Sequence, residues 1–195
     1  MRRKVILLSI CAILLSVTTV TGALALMFDQ ESKVNTLTVG SVRIDLQETP
    51  TDDGDDDPTT NTYHMLAAGE VITKDPLITV APGSVDCWLF VQLEKSENFD
   101  DYLSYELASG WTELVNYPGV YFRTVAADAA DREFHVFADD AVQVHYTLTE
   151  EELSAVEEED APTLKVTAYA VQQAGVDNHQ EAWMQLLAQT GSSEA

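Results

Sequence analysis

The sequence predicts an all-β protein: an antiparallel, jelly-roll-like β-sandwich of about nine strands, with one short internal helix and one C-terminal helix. Along most of the body, apolar residues alternate with polar ones, which is the period of a half-buried strand. Turn residues such as Pro82-Gly83, Gly110 and Pro118-Gly119 separate these segments at short intervals. Many short strands with this spacing favour two sheets packed face to face.

Residues 1–25 are predicted to form a secretory signal peptide. Basic residues at positions 2–4 precede a stretch without any charge that runs to residue 28. The small residues Ala23 and Ala25 predict cleavage immediately before Leu26. The alternative is an uncleaved membrane anchor, since about 20 apolar residues can span a bilayer. In both cases we expect the body outside the cell, secreted or at the surface, with membrane contact before cleavage.

The charge of the mature chain restricts its partners. Removal of the signal leaves 7 Lys plus Arg against 33 Asp plus Glu, so the net charge changes from -23 to -26. Binding to nucleic acid requires Lys and Arg that neutralise phosphates, and the sequence has no basic stripe, so nucleic acid is not expected as a partner. Hydrophobic residues make up 46% of the chain, which favours a folded domain over residues 41–190 and a tail at 191–195.

The strand predictions start from residues 85–94, where alternation places Cys87 on the apolar face. With Cys11 removed in the signal, Cys87 has no partner for an internal disulfide. A buried structural thiol is therefore expected, rather than a nucleophile, because reactive thiols need exposure and nearby positive charge. The other predicted strands are 36–46, 71–80, 103–107, 111–115, 119–125, 132–137, 142–148 and 164–170.

Capping residues predict two helices. Thr149 followed by Glu152 forms a capping box ahead of Leu153, which indicates a short internal helix. A second cap at Asn178 starts a helix over residues 178–189, with Trp183 on its apolar face. We expect this helix to pack over a sheet edge or an open end of the sandwich. The alternative is a free C-terminal recognition helix.

An acidic loop is predicted over residues 49–61, which contain five aspartates and no apolar side chain. Dense carboxylates can gather Ca²⁺, although the spacing matches no calcium loop, and a solvated, self-repelling loop is the simpler interpretation. No other cofactor is expected. The calcium candidates are Asp52, Asp53, Asp55, Asp56 and Asp57.

No pattern in the sequence predicts an enzyme, and no catalytic residue is proposed. His135 and His145 lie on the polar faces of two predicted strands, and a three-residue hairpin loop at 138–140 would place Glu133 opposite His145. No histidine pair has the spacing of a zinc site, and the nucleophile motif of serine hydrolases is absent from the sequence.

Residues 23–46, ALALMFDQESKVNTLTVGSVRIDL, resemble the N-terminal region of exported Gram-positive proteins of the TasA and camelysin type. In that family a SipW-like signal peptidase cuts before an aromatic-Asp element, which a polar spacer and a first strand follow. Leu37 stands where the family often has Phe. Residues 69–94 resemble a second family block, and the C-terminal part resembles a clostridial-type branch of alternate signal-mediated exported proteins.

The resemblance implies a jelly-roll-like sandwich that serves as a structural protein of the extracellular or biofilm matrix. A segment freed by cleavage, residues 26–40, could add as a strand to the open sheet edge of another copy, and head-to-tail contacts of this kind produce filaments. The expected partners are other copies and other matrix proteins. The expected apolar anchors are Leu26, Phe28, Val34, Leu37 and Val39.

Three alternatives stay open at this point. The freed segment could be an ordinary first strand that pairs within its own domain. Camelysin-type relatives imply a secreted metalloprotease, for which this sequence offers no zinc-binding constellation. A monomeric surface adhesion or ligand-binding module could use the acidic loop and exposed aromatic residues such as Trp88 and Trp111.

Overall fold

The computed structural model describes residues 28–31, 42–49, 67–157 and 160–190. Within these residues the chain forms eleven strands and three helices. The strands are β1 (Phe28–Glu31), β2 (Ile44–Gln47), β3 (Val71–Thr73), β4 (Leu77–Val80), β5 (Cys87–Lys95), β6 (Leu103–Leu107), β7 (Thr112–Glu113), β8 (Val120–Val125), β9 (Glu133–His135), β10 (Phe137–Val144) and β11 (Leu164–Gln172). The helices are α1 (Phe99–Tyr102), α2 (Glu150–Ser154) and α3 (His179–Thr190).

The strands form two layers, and every pairing between them is antiparallel. One layer is a five-stranded sheet in the order β1-β11-β5-β8-β7. The other layer consists of two three-stranded sheets, β2-β4-β9 and β3-β10-β6. Residues 71–80 and residues 133–144 each contribute one strand to both of these sheets. The predicted all-β, antiparallel sandwich is therefore confirmed.

The space between the layers contains the main hydrophobic core. Strand β5 contributes alternate side chains, including Leu89 and Val91, and β11 contributes Ala168 and Ala170. These side chains pack with residues of the facing layer, among them Ile78, because the period of two sends alternate residues of a strand to the same face. Cys87 belongs to this core and is fully buried, as the alternation predicted.

The outer face of the five-stranded sheet contains a second core, which α3 covers. Phe90, Tyr169 and Val171 point to this side and pack with Ala182 and Trp183 of the helix. The predicted position of the helix, over a sheet edge or an open end, was wrong, and the helix is not free either. Strands β5 and β11 are apolar on both faces, so their outer face also requires a cover.

Both predicted helices are confirmed, with the caps that the sequence indicated. In α2 the Thr149 hydroxyl accepts a hydrogen bond from the Glu152 N–H at 3.2 Å, and the Glu152 carboxylate accepts one from the Thr149 N–H at 2.8 Å. In α3 the Asn178 side chain accepts a hydrogen bond from the Glu181 N–H at 3.0 Å. The one-turn helix α1 was not predicted.

The predicted hairpin at 138–140 was wrong. In place of two strands paired with each other, β9 and β10 follow one another along the sheet, where β9 pairs with β4 and β10 pairs with β3. His135 pairs with Leu77 of β4, and further along Ala141 pairs with Thr73 of β3. The intervening residues bulge out of the ladder, with Asp139 and Asp140 at φ of 54° and 53°. Short polar side chains tolerate this left-handed conformation better than most. Glu133 is consequently paired with Thr79 rather than with His145.

Gly83 and Gly119 both have positive φ but differ in their surroundings. Alanine substitutions at these two positions therefore separate the cost of backbone strain from the cost of steric crowding. A Cβ at Gly119 (φ +79°) would lie 2.8 Å from the Leu93 carbonyl oxygen, whereas a Cβ at Gly83 (φ +85°) would meet nothing within 4 Å. We expect Gly83→Ala to lower the free energy of unfolding by about 1–2 kcal/mol through backbone strain alone. Gly119→Ala should lower it by roughly 2–4 kcal/mol, because β5 cannot move away without losing ladder bonds. Urea titration measures both, and equal losses would contradict the crowding at Gly119.

Candidate functional site at the N-terminal strand

Strand β1 occupies one outer edge of the five-stranded sheet. Its four residues pair with β11 in the register Phe28↔Val171 to Glu31↔Ala168. On its other side β1 has no strand partner among the described residues, although it lies close to β2 of the opposite layer. Residues 28–31, just beyond the expected cleavage site, therefore form an edge strand within the described part of the chain, and they pair within their own chain.

Strand β11 lies next to the edge strand of the sheet, and most of its residues are buried, which is unusual for that position. Ala168 and Ala170 are buried in the inner core, while Tyr169 and Val171 are buried under α3. Without β1, the backbone N–H and C=O groups along the outer side of this strand would lack ladder partners. A rigid strand with an open edge is a template for strand addition, whether the added strand comes from the same chain or another.

Most of the assembly residues predicted from the sequence fall outside the described residues. Phe28 is the exception: its backbone begins β1, opposite Val171. The remaining predicted residues outside the described ranges are the cleavage residues Ala23, Ala25 and Leu26, the anchors Val34, Leu37 and Val39, and the aspartates Asp52, Asp53, Asp55, Asp56 and Asp57. The tail at 191–195 is also outside them.

Histidines of the described chain lie in three separate places. His135 forms a 2.7 Å contact through Nδ1 with the Asp140 carboxylate, and His179 stacks on the Phe122 ring at 3.9 Å between centroids. The backbone N–H of His145 donates to the Tyr102 carbonyl. In the described ranges, no three His, Cys, Asp or Glu side chains come together as a metal site would require, and no helix there has the length and apolar character to cross a membrane.

The Cys87 thiol has the environment of a structural residue. Burial in the inner core raises its pKa to about 11. Since the thiolate is the reactive form, this thiol is almost entirely protonated and unreactive at neutral pH.

Trp88 and Trp111, expected as exposed aromatics, are both partly buried and engaged. Trp88 packs edge-on against Phe122 at 6.3 Å and against His179 at 5.5 Å. The Trp111 indole N–H donates to the His135 carbonyl oxygen at 2.8 Å. Neither ring is a free surface platform.

Arg123 is a feature that the sequence analysis missed. Its guanidinium carbon lies 4.1 Å from the centre of the Phe134 ring and 5.2 Å from that of Trp111. Burial lowers its pKa, and its Nε atom is buried without a hydrogen-bond partner. The alternation of β8 indicates that Arg123 points inward, because Tyr121, Arg123 and Val125 share the face that points into the sandwich.

Comparison of the chain with models of known protein families, with curated proteins and with solved structures finds no match.

Proposed function

We propose that the chain is a secreted structural protein of the extracellular or biofilm matrix, which assembles into surface fibres by N-terminal strand exchange after its signal peptide is cleaved. In this proposal a signal peptidase of the SipW type releases the N-terminus at Leu26. The partners are further copies of the same chain and other matrix proteins. The calcium candidates of the acidic loop have no part in the proposed assembly.

The observation that carries the proposal is the edge position of β1 beside the buried strand β11. Among the described residues this four-residue edge strand has a strand partner on one side only, and it belongs to the segment that cleavage would release. The same edge of β11 in a second copy offers identical backbone groups in an identical register. Strand exchange between copies would therefore replace each contact by its equivalent.

The energy of exchange supports this model. A backbone hydrogen bond contributes a net of about 0.5–1.5 kcal/mol, so a strand of four residues binds its own edge only moderately. Release of β1 loses these few bonds, and docking on a neighbour restores them. Strands β5 and β11 supply buried residues to the core between the layers and to the core under α3, and these residues stay in place when β1 leaves.

Cleavage and charge would control when assembly begins. Before cleavage the segment that contains β1 is tethered at the membrane and cannot reach a neighbour. After cleavage, the net charge of -26 keeps copies apart at low ionic strength. Salt at physiological concentration screens charges beyond about 8 Å, which allows copies to approach.

A peptide experiment tests whether the edge of β11 accepts a strand from another molecule. The mature chain is made without residues 26–35, and the peptide LMFDQESKVN, which has the sequence of the deleted segment, is added. We expect the peptide to bind and to shift the backbone amide NMR signals of residues 168–172, because these line the emptied edge. A peptide with Asp29→Pro is the control, since the register turns the Asp29 N–H toward β11 and proline cannot donate to the ladder. Equal binding of both peptides, or shifts elsewhere only, would contradict the proposal.

A further inference from the structure

The environment of Arg123 is unusual for a cation in so acidic a chain. The other bases of the inner region have partners: Lys74 contacts Glu48 at 2.8 Å, and Arg132 donates to the Ala81 and Ala127 carbonyls. On the surface, Lys95 and Lys165 form ion pairs with carboxylates. No carboxylate in the described ranges forms an ion pair with Arg123.

The neighbours of Arg123 hold the guanidinium in place without satisfying its donors. The Phe134 and Trp111 rings interact with its charge through their π-electrons. Gly110, at φ +93°, lies against the group so closely that a Cβ there would be 2.7 Å from Nη2. Trp111 is itself held by its hydrogen bond to the His135 carbonyl. Rings and backbone therefore supply position, while no acceptor is supplied to the buried Nε.

We propose that Arg123, held by Trp111 and Phe134 beside Gly110, is a binding site for a carboxylate group. A guanidinium presents parallel N–H donors whose spacing matches the two oxygens of a carboxylate. A buried polar atom without a protein partner calls for an explanation, and a bound ion, water or ligand is one that also fits the unpaired charge of Arg123. Arg123 is only partly buried, so part of the residue is open to solvent.

The carboxylate can come from two sources, which experiment separates. One is a small free carboxylate. The other is one of the 33 Asp and Glu side chains of a second copy. The site does not depend on strand exchange, since none of its residues belongs to β1, β2 or β11. Failure of the fibre model would therefore leave this proposal standing, and the reverse also holds.

The test titrates the mature chain with sodium glutarate at constant ionic strength, with chloride as the balancing anion. We expect saturable shifts of the Arg123 Nε–H and Trp111 indole N–H NMR signals. Arg123→Met should weaken glutarate binding at least about tenfold, and Arg123→Lys should also weaken it, because lysine cannot form the paired bonds. Arg43→Met is the matched control, since it removes an exposed guanidinium elsewhere and should change the affinity by less than twofold.

Two further measurements complete the test. Glutarate should raise the melting temperature of the parent chain and not that of Arg123→Met, a difference that a purely structural role would not produce. Sedimentation velocity of the same proteins identifies the source: weaker self-association in Arg123→Met, or on addition of glutarate to the parent, indicates a carboxylate of a second copy. Unchanged self-association together with weakened glutarate binding indicates a free carboxylate. Glutarate binding and self-association both within twofold of the parent in Arg123→Met would overturn the proposal.

Discussion

Deletion of residues 26–35 from the mature chain should abolish fibre formation and leave the sandwich folded. The deletion removes β1, which supplies one edge of the five-stranded sheet, but it leaves the buried residues that β5, β11 and α3 contribute to the two large cores. A copy without β1 can accept a strand but cannot donate one, so a preparation of such copies alone forms no contact of this kind. Electron microscopy counts the fibres, and circular dichroism checks the fold.

A point substitution tests whether the loss of fibres comes from β1 itself rather than from a general loss of stability. Asp29→Pro removes one donor to β11, because the register turns the Asp29 N–H toward that strand, whereas Asp29→Ala keeps the backbone N–H. We expect fibres from the alanine variant and few or none from the proline variant. Abundant fibres from both the deletion and the proline variant would show that assembly does not use this strand.

Trp183→Ala should lower the free energy of unfolding by about 3–5 kcal/mol, the range found for truncation of a large buried aromatic. The Trp183 side chain is 2% exposed and lies at the centre of the contact between α3 and the outer sheet face. Its ring centre is 5.3 Å from that of Phe90, 5.5 Å from Tyr169 and 6.2 Å from Tyr117. Truncation would leave a cavity that these rings can fill only in part. Urea titration, followed by tyrosine fluorescence and circular dichroism, measures the loss.

Met184→Ala is the matched control on the same helix. The neighbouring side chain is 52% exposed, so its truncation should change stability by no more than about 0.5 kcal/mol. Similar small effects for both variants would mean that α3 does not cover the sheet. In that case the helix would be free to recognise a partner, as the alternative interpretation of the sequence held.

The sequence predicted those elements whose formation depends on local patterns. The alternation over residues 85–94 placed Cys87 correctly, and capping residues gave the starts of α2 and α3. The bulge at Asp139-Asp140 was missed because the same residue types favour turns and left-handed bulge positions. A turn and a bulge differ here only in strand pairing, since β9 pairs with β4 and β10 pairs with β3. These pairings join residues that are distant in the sequence.

The position of α3 and the role of Arg123 depend on how the layers stack. A helix with one apolar stripe gives no indication of which surface it covers. The apolar residues on both faces of β5 did contain that information, since a two-sided strand requires two covers. For Arg123 the period of two gave the inward direction, but only the three-dimensional structure shows that no carboxylate of the described ranges forms an ion pair with it.

Solid-state NMR on fibres of mixed labelling tests strand exchange most directly. Fibres are grown from equal amounts of mature chain labelled only with ¹⁵N and mature chain labelled only with ¹³C, so that any nitrogen–carbon correlation must join two copies. The account predicts correlations between residues 28–31 and 168–171, in the register that pairs Asp29 with Ala170. If these correlations appear in doubly labelled fibres but are absent from the mixed ones, then β1 stays in its own chain and the account is wrong.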